Sequence, residues 1–219
     1  MKYHISLDID FKRNENPGKF IVIEGIDGSG KTTQAQLVAE KLGAVYTKEP
    51  TTGPIGQFIR EGIAGAGNLP PAALQHLLSA DRAVHEEEVK KLLQQGKTVV
   101  SDRYLWSSVA YGMADREGTD YTDGEVLLVA QSILSMYHRF ILPDITLYLD
   151  VSVDTSMKRI NEMGKEKEMY ETPEKLQLIE KGYKWLIEQF PQEIVVLNGE
   201  KPVEEVTEDI LEKIQSMSS

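Results

Sequence analysis

The chain contains no cysteine. Disulfides and thiolate metal sites are therefore excluded, and the composition fits a reducing interior. Long apolar runs are missing as well. None approaches the roughly 20 consecutive residues that span a bilayer, so no membrane partner is expected. The first ten residues hold acids and no long apolar core, unlike a secretory leader, and a cytoplasmic location is the expectation. Positive charge is in short supply, with 24 Lys and Arg against 35 Asp and Glu and a formal net charge of −11. A protein that coats nucleic acid wants a basic face, so no nucleic-acid partner is expected. Phosphorylated substrates then have to be drawn in by a local positive cleft. Histidine is scarce: His4, His76, His85 and His138 are scattered and read as structural or exposed. Internal repeats, low-complexity segments and inter-domain linkers are also lacking. A chain of 219 residues without them is expected to be a single domain over 19–219, preceded by an extension at 1–18.

What is present is concentrated in residues 20–33, FIVIEGIDGSGKTT. Four apolar residues, Phe20 to Ile23, form a continuous run of the kind buried on both faces of a sheet. Gly25, Gly28 and Gly30 break it, and helical spacing of apolar residues follows Lys31. This is G-x-x-x-x-G-K-[ST] between a strand and a helix, the context a phosphate-binding loop requires. Glycines let the backbone curl so that several N–H groups converge on one anion. The helix adds its unpaired N-terminal donors and positive dipole end. Gly25, Ile26, Asp27, Gly28, Ser29, Gly30, Lys31, Thr32 and Thr33 are accordingly the expected ATP-binding residues. Lys31, expected to be exposed, supplies a charge for the β- and γ-phosphates, and Thr32 a hydroxyl for Mg²⁺.

Upstream, residues 3–11 alternate apolar and polar with the period of a half-buried strand, and 12–18 (KRNENPG) reads as a turn-rich link. Downstream, short strands at 43–47, 98–101, 145–151 and 194–197 alternate with helical stretches. The longest helix covers 71–95, with Leu74, Leu77, Leu78, Val84, Val89, Leu92 and Leu93 as its apolar positions and Glu86, Glu87 and Glu88 read as a solvated face. Five strands alternating with helices predict an α/β fold with a five-stranded parallel sheet and helices on both faces.

In such a sheet ligands bind beyond the carboxyl ends of the strands. Those ends deliver Glu24 and Asp27, then Lys48-Glu49-Pro50, then Asp102-Arg103-Tyr104, then Asp150. Asp102, after an apolar run, resembles the metal-side aspartate of P-loop enzymes. Arg103 offers a planar fork for a phosphate. No Asn-Lys-x-Asp guanine reader is present, and no glutamate follows Asp102 to polarise water. Cationic groups at several strand ends suit two anionic substrates held together, which points to a nucleotide kinase. A kinase of another nucleotide or nucleoside, and a P-loop ATPase acting as a switch on a protein partner, are the alternatives.

From Lys19 onward the chain resembles the thymidylate kinases. The resemblance rests on IEGIDGSGKTTQ (23–34), KEP (48–50), ADRA (80–83), SDRYLWSSVAY (101–111), LPDITLYLD (142–150), KRI (158–160) and YE (170–171). It implies the P-loop NTPase fold with core strand order 2-3-1-4-5, and transfer of the γ-phosphoryl of ATP to dTMP with Mg²⁺. It also implies a homodimer whose other partners are small nucleotides. By position, Asp27 would contact the acceptor 3′-hydroxyl, Arg103 its phosphate and Arg82 the thymine edge. Ser108 would lie by the base and Tyr111 against the sugar where a 2′-hydroxyl would project. Tyr170 and Glu171 would line the acceptor and metal region, with Thr32 and Asp102 as the other metal-side groups. Lys31, Arg103, Asp27 and Arg159 would be the catalytic set, Arg159 acting with a lid loop at 162–170 whose cations are Lys165 and Lys167. The chain departs from the common family pattern at Lys48, where Arg is usual, at Leu78, where an aromatic stacks on thymine, and at Met169, where many members carry Arg. Lys48 keeps the charge and loses the bidentate fork.

Overall fold

The computed structural model describes residues 10–217 except 65–68, 116–122, 165 and 167. The five-residue strand β2 (Phe20–Glu24) is buried along its whole length. It is central because it pairs on both sides, with β4 (Val99–Asp102) and with β6 (Ile145–Asp150), in parallel. β3 (Val45–Lys48) adds to β4 and β7 (Ile194–Asn198) to β6, giving the order β3-β4-β2-β6-β7. Counting core strands alone, this is the expected 2-3-1-4-5.

Alternation along β2 divides the core. Phe20 and Val22 point into one cluster with Tyr104, Trp106 and Tyr183, while Ile21 and Ile23 point into another with Ala35, Val38 and Leu147. The first cluster is covered by α3 (Pro71–Gln94), α4 (Leu105–Ala114), α5 (Asp123–Tyr137) and α7 (Pro173–Gln189). The second lies under α1 (Lys31–Leu42) and α8 (Val203–Ser216). Helices on both faces remove the polar side a strand would otherwise show, which is why Phe20 to Ile23 is uninterruptedly apolar. The remaining helices, α2 (Pro54–Ile63) and α6 (Val153–Glu162), flank the carboxyl edge of the sheet.

Two expectations change. Residues 12–18 are more than a link: β1 (Lys12–Arg13) pairs in parallel with β5 (Ile141–Leu142) as a separate small sheet. Arg13 donates to both carboxylate oxygens of Glu193, and Asn14 Nδ2 donates to Asp144 at 2.7 Å. The alternating strand expected at 3–11 lies outside the described residues apart from Asp10 and Phe11, and Phe11 packs on the core. Of the apolar positions of α3, Leu74, Val89 and Leu93 are buried and Leu77, Leu78 and Leu92 pack on the core, as expected, and Val84 alone departs. Val84 is 57% exposed, whereas Asp81, Arg82, His85 and Glu86 are buried. Glu86, expected on a solvated face, accepts the Ile141 amide at 2.7 Å and Lys90 Nζ at 2.8 Å.

Candidate functional site: a phosphate loop facing an arginine-lined cavity

The six residues between β2 and α1 form a loop that only glycine permits. Gly28 and Gly30 hold φ of 78° and 90°, in the left-handed region. A Cβ on Gly28 would lie 2.6 Å from the Ser156 carbonyl oxygen, so the loop also packs too closely against α6 for any side chain there. Ser156 Oγ donates to the carbonyl of Asp27, and Arg159 Nη1 donates to the carbonyls of Gly28 at 3.4 Å and Ser29 at 3.2 Å. The Ser29 amide closes a turn on the Ile26 carbonyl at 3.2 Å, and with the carbonyls of Asp27, Gly28 and Ser29 held toward α6 the start of α1 can face an anion with its unpaired amides. Ile26 contributes backbone to this loop while its side chain is core. Lys31 is buried, contrary to the expected exposure, and its Nζ donates to the Ile26 carbonyl at 3.2 Å and Asp27 at 3.3 Å. Burial and the neighbouring Arg103 push its pKa down. Thr33 is exposed on the first turn of α1.

Beside the loop, Thr32 Oγ1 donates to Asp102 Oδ2 at 2.5 Å, and Asp102 Oδ1 is buried with no hydrogen-bond partner. The parallel register places Lys48 and Ile23 directly across from Asp102, which brings this carboxylate to the loop. Glu171 is buried in the segment 168–171. Its carboxylate accepts the Glu168 amide at 2.9 Å, and Glu168 and Tyr170 line the cavity described below while Glu171 does not. No group of three or more Asp, Glu, His or Cys side chains converges on a metal-sized space among the described residues.

A cavity of about 500 Å³ opens from this point. Asp27, Thr32, Asp102 and Arg103 line its end beside the loop. Lys48, Leu78, Arg82, Ser108, Tyr111 and Tyr170, all expected from the sequence, line the rest with Leu74 and Ile63. Arg103 is the hub: Nη1 donates to the Gly25 carbonyl at 3.2 Å and Ser107 Oγ at 3.1 Å, and Nη2 to Asp27 and to Tyr111 Oη at 2.6 Å. Tyr111 Oη in turn donates to Asp27 Oδ2 at 2.8 Å. Burial would raise the Asp27 pKa, yet Arg103 and Lys31 hold it well below the usual carboxylate range.

At the other end Arg82 is buried. Its Nε donates to Glu49 at 2.8 Å, Nη1 to Ser108 Oγ at 3.0 Å and Nη2 to the Tyr104 carbonyl at 3.0 Å. His85 meets the second Glu49 oxygen at 2.9 Å and Thr47 at 2.6 Å, so of the four histidines this one is a structural partner of the site. Tyr170 donates to both oxygens of Asp115, at 2.8 and 3.0 Å, and meets Tyr111 edge-on with ring centroids 5.0 Å apart. The Met169 amide donates to the Ile63 carbonyl at 3.2 Å, which carries residues 168–170 to the mouth of the cavity. Met169 itself is 39% exposed, and Lys165 and Lys167 lie outside the described residues.

Sequence reasoning brought Glu24 and Glu49 to the strand ends without a role, and missed Ser107 and Tyr183 as members of this assembly. Glu24 and Glu49 were visible as strand-end residues, but nothing in a single sequence marks a carboxylate as buried. Ser107 and Tyr183 reach the site only through tertiary packing.

Comparison with known proteins agrees with this geometry. The thymidylate kinase family model matches residues 23–210. The probable thymidylate kinase of Methanococcus aeolicus is 38% identical over 202 residues, covering 90% of this chain and 95% of the relative. That of Thermococcus gammatolerans is 37% identical over 208 residues, covering 89% and 94%. Among solved structures, the thymidylate kinase of Candida albicans superposes with a TM-score of 0.79 at 27% identity, covering 91% of this chain and 92% of that one. It is described for the origin of its broad substrate specificity and for a novel structural element. With a family match across most of its length and relatives similar nearly end to end, the chain belongs to the thymidylate kinase family.

Proposed function

We propose that the protein transfers the γ-phosphoryl of ATP to the phosphate of dTMP, yielding ADP and dTDP. The observation that carries this reading is the single cavity in which a phosphate loop faces a guanidinium fork at one end and an arginine-backed, half-apolar pocket at the other. ATP takes the loop amides and Lys31. The acceptor phosphate takes Arg103, its sugar lies against Tyr111 and Asp27, and its base enters between Leu78, Arg82 and Ser108. Tyr170 and Lys48 border the acceptor, and Arg159, gripping the loop carbonyls, belongs to the donor side with the lid at 162–170.

The acceptor phosphate is largely dianionic near neutrality, because its second pKa is about 6. It therefore needs no strong base, and catalysis rests on alignment and on Lys31 and Arg103 balancing charge on the transferring group. The unpartnered Asp102 oxygen beside the Thr32 hydroxyl fits Mg²⁺, a hard cation that takes one or two protein oxygens and completes its shell with phosphates and water. Bound there it would supply charge neutralisation on the triphosphate. Glu171 is left with a supporting part in the segment 168–171.

Leu78 offers apolar contact without ring stacking, so base selectivity is looser than an aromatic would give, in keeping with the breadth described for the Candida albicans relative. The protein acts as a cytoplasmic homodimer. No described helix is long and apolar enough to cross a membrane. ADP release from ATP and Mg²⁺, measured with a panel of nucleoside monophosphates and nucleosides, tests the reading. Turnover that depends on dTMP is expected. Turnover driven by nucleosides alone, or hydrolysis indifferent to every nucleotide acceptor, would refute it.

A further inference from the structure

Arg103 is the single described non-glycine residue with positive φ, at 75°. A branched or long side chain adopts that conformation only where its surroundings over-determine it. They do so here. The Arg103 amide donates to the Ile23 carbonyl at 3.0 Å, and Ser101 Oγ donates to the Arg103 carbonyl at 2.8 Å. The next amide, Tyr104, donates to Glu24 Oε1 at 3.0 Å.

Glu24 is the last residue of β2 and is fully buried. Its Oε1 also takes the Ser107 amide at 3.3 Å, while Oε2 takes Ser107 Oγ at 2.5 Å and Tyr183 Oη at 2.8 Å. The helix α4 lacks a side-chain cap of its own at Tyr104. Glu24 supplies one from a neighbouring strand, accepting two of the amides that a helix N-terminus leaves unpaired. Because Ser107 gives its only proton to Glu24, its oxygen is turned to accept Arg103 Nη1 at 3.1 Å. One carboxylate thus governs both the backbone that follows Arg103 and the hydroxyl that holds its guanidinium.

We propose that Glu24 is a positioning residue for acceptor binding, acting on Arg103 through Tyr104 and Ser107. It touches no substrate itself. The inference rests on the reading of Arg103 as the acceptor-phosphate ligand. Glu24→Gln isolates the effect. The amide oxygen still accepts the Tyr104 and Ser107 amides, so the helix cap survives. The NH₂ group, however, becomes a donor toward Ser107 and Tyr183, so the Ser107 proton loses its acceptor and must turn toward Tyr183 Oη, 2.9 Å away, or toward Arg103, which disturbs the hydroxyl's hold on the guanidinium.

The experiment compares kcat and separate KM values for dTMP and ATP, with thermal midpoints, in the parent, Glu24→Gln and Ser107→Ala. Both variants are expected to raise KM for dTMP by about tenfold or more, the range for losing a hydrogen bond to a charged group, while KM for ATP stays within about twofold. A purely structural role would move both KM values or only the midpoint. Should Glu24→Gln not fold, Ser107→Ala, which keeps the carboxylate, decides alone. Unchanged dTMP KM in a folded variant overturns the proposal while the parent's activity stands. A parent that does not turn over dTMP at all overturns the functional reading instead.

Discussion

At the scale of single residues, charge in this site is held by partners rather than by water. Lys31 is buried and its pKa is lowered by burial and by Arg103, so its ammonium gains less from its surroundings than its contacts suggest. Lys31→Ala should therefore leave the thermal midpoint nearly unchanged, since Asp27 retains Arg103 and Tyr111. Turnover should fall by about 10²-fold or more, as when one preorganised transition-state donor is removed. Melting curves and ADP release on the same preparation check both halves. Glu49 and Glu24 make an opposed pair. Burial raises both, but Arg82 and His85 bring Glu49 below its ordinary 4.5, whereas nothing does so for Glu24. A lowered folded pKa means that the unfolded chain binds more protons in the window below about 4.5. The Glu49 contribution is therefore complete above that value and is lost as pH falls through the folded pKa. The raised Glu24 has the opposite sign, and its contribution declines as pH rises from about 4.5 through its folded value. Glu49→Gln leaves Arg82 buried without its counter-charge, which costs about 3–5 kcal/mol near neutrality. The gap to the parent should narrow as pH is lowered below about 4.5. Denaturant titrations at several pH values measure it, and a gap independent of pH would remove Glu49 from the acid limb.

At the scale of elements, α3 shows why part of the site was not legible in the sequence. Its length, its proline start and its end before Gly96 follow from composition alone. The charged part of its buried side does not, because Asp81, Arg82, His85 and Glu86 are buried along with Leu74, Val89 and Leu93, while Val84 faces outward. Hydrophobic periodicity finds the residues that meet an apolar core, and this helix buries partnered charges next to them, of which Arg82 lines the cavity. Each of those charges is satisfied across chain distances no local pattern reveals: Asp81 by Thr51, Arg82 and His85 by Glu49, Glu86 by Ile141. The strand-to-loop-to-helix unit was legible because its constraint is local, set by glycine dihedrals within a few residues. The acidic run on α3 gives a direct test. Glu86→Ala strips the Ile141 amide at the start of β5 of its acceptor and should destabilise by about 1–3 kcal/mol. Glu87→Ala and Glu88→Ala, on the exposed side, should stay within about 0.5 kcal/mol of the parent. Urea denaturation midpoints of the three variants decide it, and equal effects would return Glu86 to the solvated face.

At the scale of the whole molecule, the imbalance is between a formal net charge of −11 and a site built from Lys31, Lys48, Arg82 and Arg103. Sheet order and layer arrangement were readable from strand alternation together with family resemblance. The way charge is distributed was not, since composition reports only the sum. That sum has a consequence for the proposed homodimer. Bringing two protomers together sets −11 against −11, a repulsion that reaches about 30 Å at 0.01 M ionic strength but only about 8 Å at 0.15 M. Apolar burial, which would hold the pair together, is not screened by salt and is modestly strengthened by excluded salts. Exposed apolar side chains on the outer helices, among them Val84, Leu127 and Leu128, are available for such burial. Dimer dissociation should therefore be weakened by salt, so that the dimer fraction at a fixed protein concentration rises between about 0.01 and 0.15 M NaCl. An interface dominated by ion pairs would give the reverse trend. Sedimentation equilibrium across that salt range measures it. A dimer that dissociates as salt is added would contradict the apolar interface, and a monomer at every concentration and salt would contradict the homodimer itself.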